Sequence, residues 1–221
     1  MHKISRRLFV LGTPAILAGC VSTERRYASL PPVPTVDASF YSTYGEIDDE
    51  RFPVPAVDPY EVNPSYLRAS VEYDGHEGAG TIVIDPNERY LYHVQSGGRA
   101  TRYGVGVGRE GFGWSGAAVI RRKSEWPTWT PPGSMIQRQP ELRPYASGMP
   151  GGLENPLGAR AMYLYQGDRD TLFRIHGTNE PGSIGSAVSS GCIRLINQDV
   201  IDLYRKVPVG TRVVVRPLLV S

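Results

Sequence analysis

A histidine and a cysteine near the C-terminal end of the chain have the side-chain types needed for covalent catalysis. Residues 176–195 read HGTNEPGSIGSAVSSGCIRL, which places Cys192 sixteen residues after His176. A cysteine attacks as its thiolate, and a neighbouring imidazole both lowers the thiol pKa and carries protons. The intervening chain is long enough to return the sulfur to the ring. These residues are therefore a candidate nucleophile and a candidate general base.

Residues beside the cysteine could bind the substrate. Gly191 lets the backbone bend sharply next to the sulfur, and backbone N–H groups of Ser189, Ser190 and Gly191 could bind the oxyanion of a tetrahedral intermediate. Arg194 supplies a fixed positive charge for a carboxylate of the substrate or the intermediate. Spacing alone leaves an alternative open, in which Cys192 is a buried strand residue and His176 is satisfied by backbone groups.

The N-terminus resembles an export signal. Residues 1–20, MHKISRRLFVLGTPAILAGC, have a charged start, a short apolar run and small residues at the end, and the run is too short to span a bilayer. Arg6 and Arg7 fit a twin-arginine signature, and residues 17–20 resemble a lipobox, whose cysteine is lipidated. A general secretory signal with a chance cysteine is the alternative. We predict a signal peptide at 1–20 and lipidation at Cys20.

The number of cysteines in the chain indicates that Cys192 has a specific role. The chain has two cysteines, so lipidation of Cys20 leaves Cys192 as a single thiol in a compartment that permits disulfides. An exported lone thiol risks oxidation and mispairing, so it is usually buried or used. Cys192 therefore needs a chemical explanation.

Composition excludes several classes of function. The 24 basic and 22 acidic residues are nearly balanced and give no basic face for nucleic acid. The glycine-rich stretch 104–116 precedes an expected strand rather than a helix, which disfavours a phosphate loop. The remaining histidines are scattered and no metal-ligand spacing appears. We therefore expect no metal and no cofactor.

The chain divides into three parts. After the signal, the proline-rich residues 21–67 read as a partly stiff tether that holds a domain away from a membrane. The alternative is an ordered extended segment that wraps the domain. Residues 68–217 form the predicted domain, with short strands at 81–84, 89–95, 100–107, 117–123, 161–165, 171–175 and 211–215.

One helix and one long loop complete the predicted domain. Asn197 is a suitable N-cap for a helix over 198–206. Residues 133–157 are irregular, and so long a loop in a compact domain is typical of a lid over a site. The 25 glycines and 19 prolines favour a loop-rich β fold over a helical bundle.

Several motifs resemble the L,D-transpeptidase (YkuD-type) family over residues 68–217. They are HGTN at 176–179 and SSGCIRL at 189–195, with GTIVID at 80–85, the aromatic and proline loop at 126–132 and NPLG at 155–158. The resemblance implies a mainly β, YkuD-like β-sandwich catalytic domain with few helices. It also implies that a cysteine attacks the amide between the L- and D-centres of a peptidoglycan stem tetrapeptide. D-Ala then leaves, and an amine takes the acyl group.

The family pattern assigns roles to individual residues. Cys192 is the nucleophile and His176 the general base and acid, while Arg194 and the backbone of Ser189, Ser190 and Gly191 contact the substrate or the oxyanion. Many members have histidine where this chain has Ser190. The exchange removes a second imidazole and leaves His176 as the sole nearby base.

The resemblance implies partners but leaves the acceptor open. The amine could belong to a second stem peptide (a 3→3 cross-link), a free D-amino acid or an envelope protein. Water as acceptor would make the protein an L,D-carboxypeptidase or hydrolase, and a non-catalytic peptidoglycan-binding lipoprotein is the remaining alternative. NlpC/P60 peptidases are disfavoured because their cysteine precedes the histidine. We expect an exported, periplasmic protein held to a membrane, inner or outer, by its N-terminal lipid.

Overall fold

The fold is built on one large mixed sheet. The computed structural model describes residues 38–108, 114–189 and 191–219. Its nine-stranded sheet has the order β1-β4-β3-β2-β11-β6-β7-β8-β10, and β5 and β9 form a second, two-stranded sheet. The strands are β1 (Ala69–Glu72), β2 (Ile82–Asp85), β3 (Tyr90–Gln95), β4 (Arg99–Gly104), β5 (Val107–Gly108), β6 (Gly116–Glu125), β7 (Arg160–Gln166), β8 (Arg169–His176), β9 (Ala187–Ser189), β10 (Ile193–Arg194) and β11 (Arg212–Val215).

Helices are few and short. The α-helices are α1 (Ala38–Tyr44), α2 (Gly133–Arg138) and α3 (Asn197–Lys206), with 3-10 turns at Pro64–Tyr66, Pro140–Tyr145 and Pro181–Ser183. The predicted mainly β fold with few helices is thus confirmed. No helix among the described residues has both the length and the apolar composition needed to cross a bilayer.

The centre of the sheet follows from β-branched, apolar sequence. All four residues of β2 are buried, and β2 pairs in parallel with β11 through Val213 opposite Ile82. Strands buried on both faces are expected to be continuously apolar, as the IVI run of β2 is. The opposite edge of β11 pairs antiparallel with β6, which leads on to β7 and β8.

Helix α3 covers one face of this sheet. Its Val200 and Leu203 pack with core residues of β7, β8 and β10, including Met162, Ile175 and Ile193. The predicted cap at Asn197 is wrong, because the N-cap position falls on Ile196 and no side chain caps the helix. The Asn197 side chain instead bonds to two loops near the site, as described below.

Residues 38–67, here called the N-terminal strap, pack against the domain. Phe40, Tyr44, Val57 and Val62 form an apolar cluster with Ile184 and Ile196. On α3, the Gln198 Nε2 donates to the carbonyls of Gly45 (3.0 Å) and Pro55 (2.9 Å). The strap belongs to the same compact unit as the sheet.

A buried ion pair also holds the strap. Glu50 accepts hydrogen bonds from Arg160 of β7 and from the Trp126 indole N–H (3.1 Å). The Glu50 and Arg160 side chains are 6% and 4% exposed. Phe52 stacks edge-on against Trp126 with ring centroids 5.0 Å apart. The predicted signal with Cys20, and the first part of the predicted tether, lie outside the described residues.

Candidate active site

Two parallel strands bring the candidate nucleophile and base together. Strand β10 pairs with β8 so that Ile193 lies opposite Ile175 and Arg194 opposite His176. Cys192 directly precedes β10, beside Arg174. Because alternate strand residues point to the same face, Cys192, Arg194, Arg174 and His176 share the face opposite α3. His176 and Cys192 both line one groove on this face.

A backbone carbonyl orients the His176 ring. Its Nδ1 lies 2.6 Å from the carbonyl oxygen of Gly177, and the side chain is buried. A carbonyl can only accept, so Nδ1 carries the proton and Nε2 is left as the basic nitrogen. Burial lowers the pKa of His176 to about 4; the Gly177 carbonyl opposes this, and the charges of Arg194 and Arg174 lower it further. The ring is therefore a neutral base at pH 7.

Asn197 holds the loop that follows His176. Its Oδ1 accepts from the backbone N–H of Ala159 (2.9 Å), and its Nδ2 donates to the Thr178 carbonyl (2.9 Å). The oxygen also lies directly against Gly158 and Gly177, where a Cβ atom would collide with it. Sequence reasoning assigned Asn197 to a helix cap, and only the tertiary contacts identify this role.

Cys192 carries a partly exposed thiol. Its Sγ lies 4.0 Å from the Leu172 carbonyl oxygen. Burial raises the pKa of the thiol, although the Arg174 backbone N–H and the positive charges of Arg174 and Arg194 act in the opposite direction. The expectation of a lowered thiol pKa is therefore wrong for this structure, because desolvation of the anion outweighs the favourable groups. Thiol and imidazole are both neutral at pH 7.

Arg194 and Gly191, for which the sequence predicted substrate and oxyanion roles, both lie close to Cys192 in the chain, and Arg194 also lines the groove. The Arg194 guanidinium lines the groove and pairs with Glu180 at 3.0 Å, while its backbone exchanges two 2.9 Å hydrogen bonds with Gly106. Gly191 has φ of +119°, a conformation that favours glycine, so the chain bends beside the sulfur. Ser189 belongs to β9, whereas Ser190 lies outside the described residues.

Residues 126–157, here called the covering loop, line one wall of the groove, which has a volume of about 760 Å³. Trp126 is buried against the strap, but Trp129 faces the groove. The apolar side chains of this wall are Trp129, Met135, Leu142, Tyr145, Met149 and Leu157, and charged groups come from Arg138, Glu154, Glu180 and Arg194. The groove is thus suited to an extended ligand with both apolar and charged groups.

One buried amide fixes the base of the covering loop. The Asn155 Nδ2 donates to the carbonyls of Pro127, Met149 and Pro150 at 2.9–3.1 Å, and its Oδ1 accepts from the Leu157 N–H. Asn155 is completely buried. The NPLG motif pointed to this segment, but not to its structural role. In the described part of the chain, no group of three or more His, Cys, Asp or Glu side chains could hold a metal ion.

Comparison with known proteins identifies the family. The family model of the YkuD L,D-transpeptidase catalytic domain matches residues 79–215, which include both His176 and Cys192. The chain therefore belongs to the YkuD-type L,D-transpeptidase family, as its motifs predicted.

Curated relatives carry the same family name. The chain is 38% identical over 144 residues to "Probable L,D-transpeptidase YbiS" of Escherichia coli, covering 62% of this chain and 44% of that protein. It is 34% identical over 171 residues to "Probable L,D-transpeptidase YcfS" of the same species, covering 72% and 51%. The chain thus spans about half the length of these relatives.

A solved structure from Brucella melitensis is also similar. It is 46% identical and covers 73% of this chain and 98% of that one, with a TM-score of 0.49. That protein is described as a probable carnitine operon oxidoreductase, a description that applies to it alone.

Proposed function

We propose that the protein is an L,D-transpeptidase that transfers the acyl group of a peptidoglycan stem tetrapeptide through a thioester on Cys192 to an amine. The placement of His176 and Cys192 on adjacent parallel strands, in one groove, supports this proposal most directly. The match of the family model to residues 79–215 supports the substrate class.

The first half of the reaction forms the thioester. Nε2 of His176 takes the Cys192 proton as the sulfur attacks the carbonyl carbon between the L- and D-centres. The C–S bond forms and the carbonyl oxygen becomes an oxyanion. The imidazolium then gives its proton to the nitrogen of D-Ala, the C–N bond breaks, and D-Ala leaves as a neutral amine.

The second half reverses these steps with a new amine. The acceptor nitrogen attacks the thioester carbon and passes a proton to Nε2 of His176. The C–S bond breaks, the amide forms, and the sulfur recovers its proton from the imidazolium. Nε2 must reach both the departing and the attacking nitrogen, so the two amines occupy one position beside it.

Burial of the pair favours proton transfer during attack rather than a standing ion pair. Isolated charges are costly in this environment, as the raised thiol pKa and the lowered imidazole pKa indicate. The charges of Arg174 and Arg194 and the Arg174 backbone N–H stabilise negative charge at the sulfur as the substrate displaces water. Gly191, bent beside the sulfur, fits the oxyanion role assigned to the backbone around Ser189 and Ser190.

The test uses the full chain carrying Cys20→Ala, which prevents lipidation. The protein is incubated with purified disaccharide-tetrapeptide, and products and intact protein are weighed by mass spectrometry. An acyl-enzyme and dimers that have lost one D-Ala support transpeptidation. Tripeptide without dimers would instead make the protein an L,D-carboxypeptidase. If no product depends on Cys192, catalysis at this residue is ruled out and the non-catalytic, peptidoglycan-binding alternative remains.

Three variants, one of them a matched control, complete the test. Cys192→Ala and His176→Gln abolish product formation, whereas His76→Gln, which changes a histidine outside the groove, leaves it intact. A His176→Gln variant with full activity would contradict the assignment of the base.

We also propose that the protein is exported and lipid-anchored at Cys20, as residues 17–20 suggest. Labelled palmitate should be incorporated by the wild-type chain in a bacterial host and not by Cys20→Ala. Label in both proteins would contradict the lipidation site.

A further inference from the structure

Three strands carry a row of residues that ends beside the thiol. Arg122 of β6 lies opposite Tyr163 of β7, and Tyr163 lies opposite Arg174 of β8. Cys192 follows next, because Ile193 pairs with Ile175. Arg122, Tyr163 and Arg174, here called the cationic row, thus lie on the catalytic face of the sheet.

The aromatic ring of the row is placed between two guanidinium groups. The guanidinium carbon of Arg122 is 3.6 Å from the centroid of the Tyr163 ring, and that of Arg174 is 4.5 Å from it. Tyr163 itself is 7% exposed. Stacking on a buried ring fixes the plane of a guanidinium and leaves its N–H edges available.

The two arginines differ in their partners. Arg174 makes two hydrogen bonds with the Asp170 carboxylate, of 2.7 and 2.8 Å, and a third with the Phe173 carbonyl. Arg122 is exposed, and within the described residues it makes no ion pair with a carboxylate. Asp170 interacts electrostatically with both arginines, so the row and Asp170 together carry one net positive charge.

The row lies outside the groove. His176, Cys192 and Arg194 line the groove, but none of the three residues of the row does. The Arg122 guanidinium lies above β7, two strand spacings from β10, or roughly 10 Å. The cysteine side chain, one amino-acid unit and a hydrogen bond can fill that separation.

The chemistry of the reaction defines what this position would hold. The groove is large enough to hold the acyl chain of a thioester on Cys192. The departing and entering amines lie beside Nε2 of His176, and a carboxylate on either amine can be directed along the sheet towards Arg122. When either amine belongs to an α-amino acid, its carboxylate is one carbon from the nitrogen.

We propose that Arg122, stacked on Tyr163, binds the α-carboxylate of the amine that leaves or enters at Cys192. The subsite selects amines of the α-amino acid class over amines that lack a carboxylate. A planar guanidinium with free N–H edges matches a carboxylate with two parallel hydrogen bonds. This inference rests on the acyl transfer proposed above and specifies its amine side.

The test compares two acceptors that differ in one group. Glycine and glycinamide, each below saturation, compete for the acyl-enzyme of the full chain carrying Cys20→Ala, and mass spectrometry gives the ratio of the two products. The ratio is measured in the parent protein, in Arg122→Met and in Arg121→Met. Comparing ratios between proteins cancels the different basicity of the two amines. Arg121 is the matched control, since it is an exposed neighbour paired with Asp168 at 2.8 Å.

We expect Arg122→Met to lower the glycine-to-glycinamide ratio about tenfold, the effect of one charge-assisted hydrogen-bonded pair. Arg121→Met keeps the parent ratio. Arg122→Lys, which keeps the charge without the planar edge, gives an intermediate ratio and also serves if the methionine variant fails to fold. The subsite would be overturned if both Arg122 variants kept the product ratio of the parent protein. It would also be overturned if Arg121→Met lowered the ratio as much as Arg122→Met does.

A separate measurement tests the proposed function. The intact mass of the parent protein reports whether the acyl-enzyme forms. A parent that forms the acyl-enzyme but shows no effect of Arg122 overturns the subsite alone. A parent that never forms it overturns the acyl transfer and the subsite together.

Discussion

The Nδ1 of His176 lies 2.6 Å from the carbonyl oxygen of Gly177, the next residue in the chain. This contact selects one tautomer and directs Nε2 away from the backbone. The carbonyl can hold the ring only while the loop after β8 keeps its path. The geometry of the proposed base therefore depends on residues that do not line the groove.

Gly177 should tolerate no side chain. A Cβ atom there would collide with Asn197 Oδ1 and lie 3.1 Å from the Ala159 nitrogen. We expect Gly177→Ala to lower the free energy of unfolding by about 1–3 kcal/mol and to reduce kcat. Urea unfolding and acyl-enzyme formation check this. Gly152→Ala is the control, because its Cβ meets open space, and it should change stability by less than about 0.5 kcal/mol. Equal effects of both variants would refute the explanation.

Asn197→Ala should damage the site without removing any group that lines the groove. It leaves the Ala159 N–H and the Thr178 carbonyl without their partner, which costs about 1–3 kcal/mol of stability. The His176 loop loosens, so we expect kcat to fall more than the KM for the tetrapeptide changes. Asn63→Ala removes an exposed cap contact and should leave kcat intact. If kcat is unchanged in Asn197→Ala, Asn197 does not position His176.

Two buried groups should give opposite pH dependences of stability. His176 has a pKa of about 4 when folded, below its unfolded value of about 6.5, so the unfolded chain binds more protons between these values. Its contribution is full above pH 6.5 and is lost as the pH falls towards 4. Burial raises the pKa of Asp199 to about 7, so its contribution is full at low pH and is lost as the pH rises from 3.8 to 7.

Single substitutions should therefore tilt the profile in opposite directions. His176→Gln should make the free energy of unfolding fall more steeply from pH 4.5 to 7, and Asp199→Asn should make it rise, each by on the order of 3 kcal/mol relative to the parent. Urea titrations at the two pH values measure both. Parallel profiles in all three proteins would show that neither group is desolvated in the folded state.

Breaking the buried pair should release the strap. Glu50→Ala leaves the Arg160 charge buried without its partner, at a cost of about 3–5 kcal/mol. We expect limited proteolysis to cut within residues 38–67 before the sheet is digested. Glu46→Ala, at an exposed position on the same strap, should leave the cleavage pattern unchanged. Resistance of the Glu50 variant would show that apolar contacts alone hold the strap.

Thiol reactivity should reveal a protonated resting cysteine. Because burial raises the pKa of Cys192, alkylation by iodoacetamide should be slow at pH 7 and should still increase above pH 8.5. The full chain with Cys20→Ala is compared with the same protein in urea, where the thiol is solvated. A rate that is already maximal at pH 6 would indicate a thiolate and imidazolium ion pair instead.

The sequence predicted best the elements that depend on residues adjacent along the chain. Short β-branched runs predicted β2 and β8, and the helix expected over 198–206 is α3 at Asn197–Lys206. The strand expected over 100–107 is divided, because Val107 pairs with Ala187 of β9 rather than continuing β4. Periodicity within a segment cannot show which distant segment will pair with it.

The site was predicted only in part for the same reason. Motif types identified His176 and Cys192, but the groups that tune them come from elsewhere in the chain. The sequence suggested a helix cap at Asn197 because it shows only which residues are adjacent along the chain. The pair of Glu50 and Arg160 joins residues 110 positions apart, which no local pattern reveals. The raised thiol pKa depends on burial, a property of the folded domain.

The packed strap limits how far Cys192 can lie from a membrane to which Cys20 would be anchored. If Cys20 carries the lipid, as proposed, residues 21–37 separate the anchor from the strap. At about 3.3–3.6 Å per residue, that chain spans at most about 60 Å. Had residues 38–67 been spacer as well, the limit would be more than twice as large. Packing of the strap therefore shortens the greatest possible distance between a lipid on Cys20 and the Cys192 thiol, and releasing the strap would increase that distance.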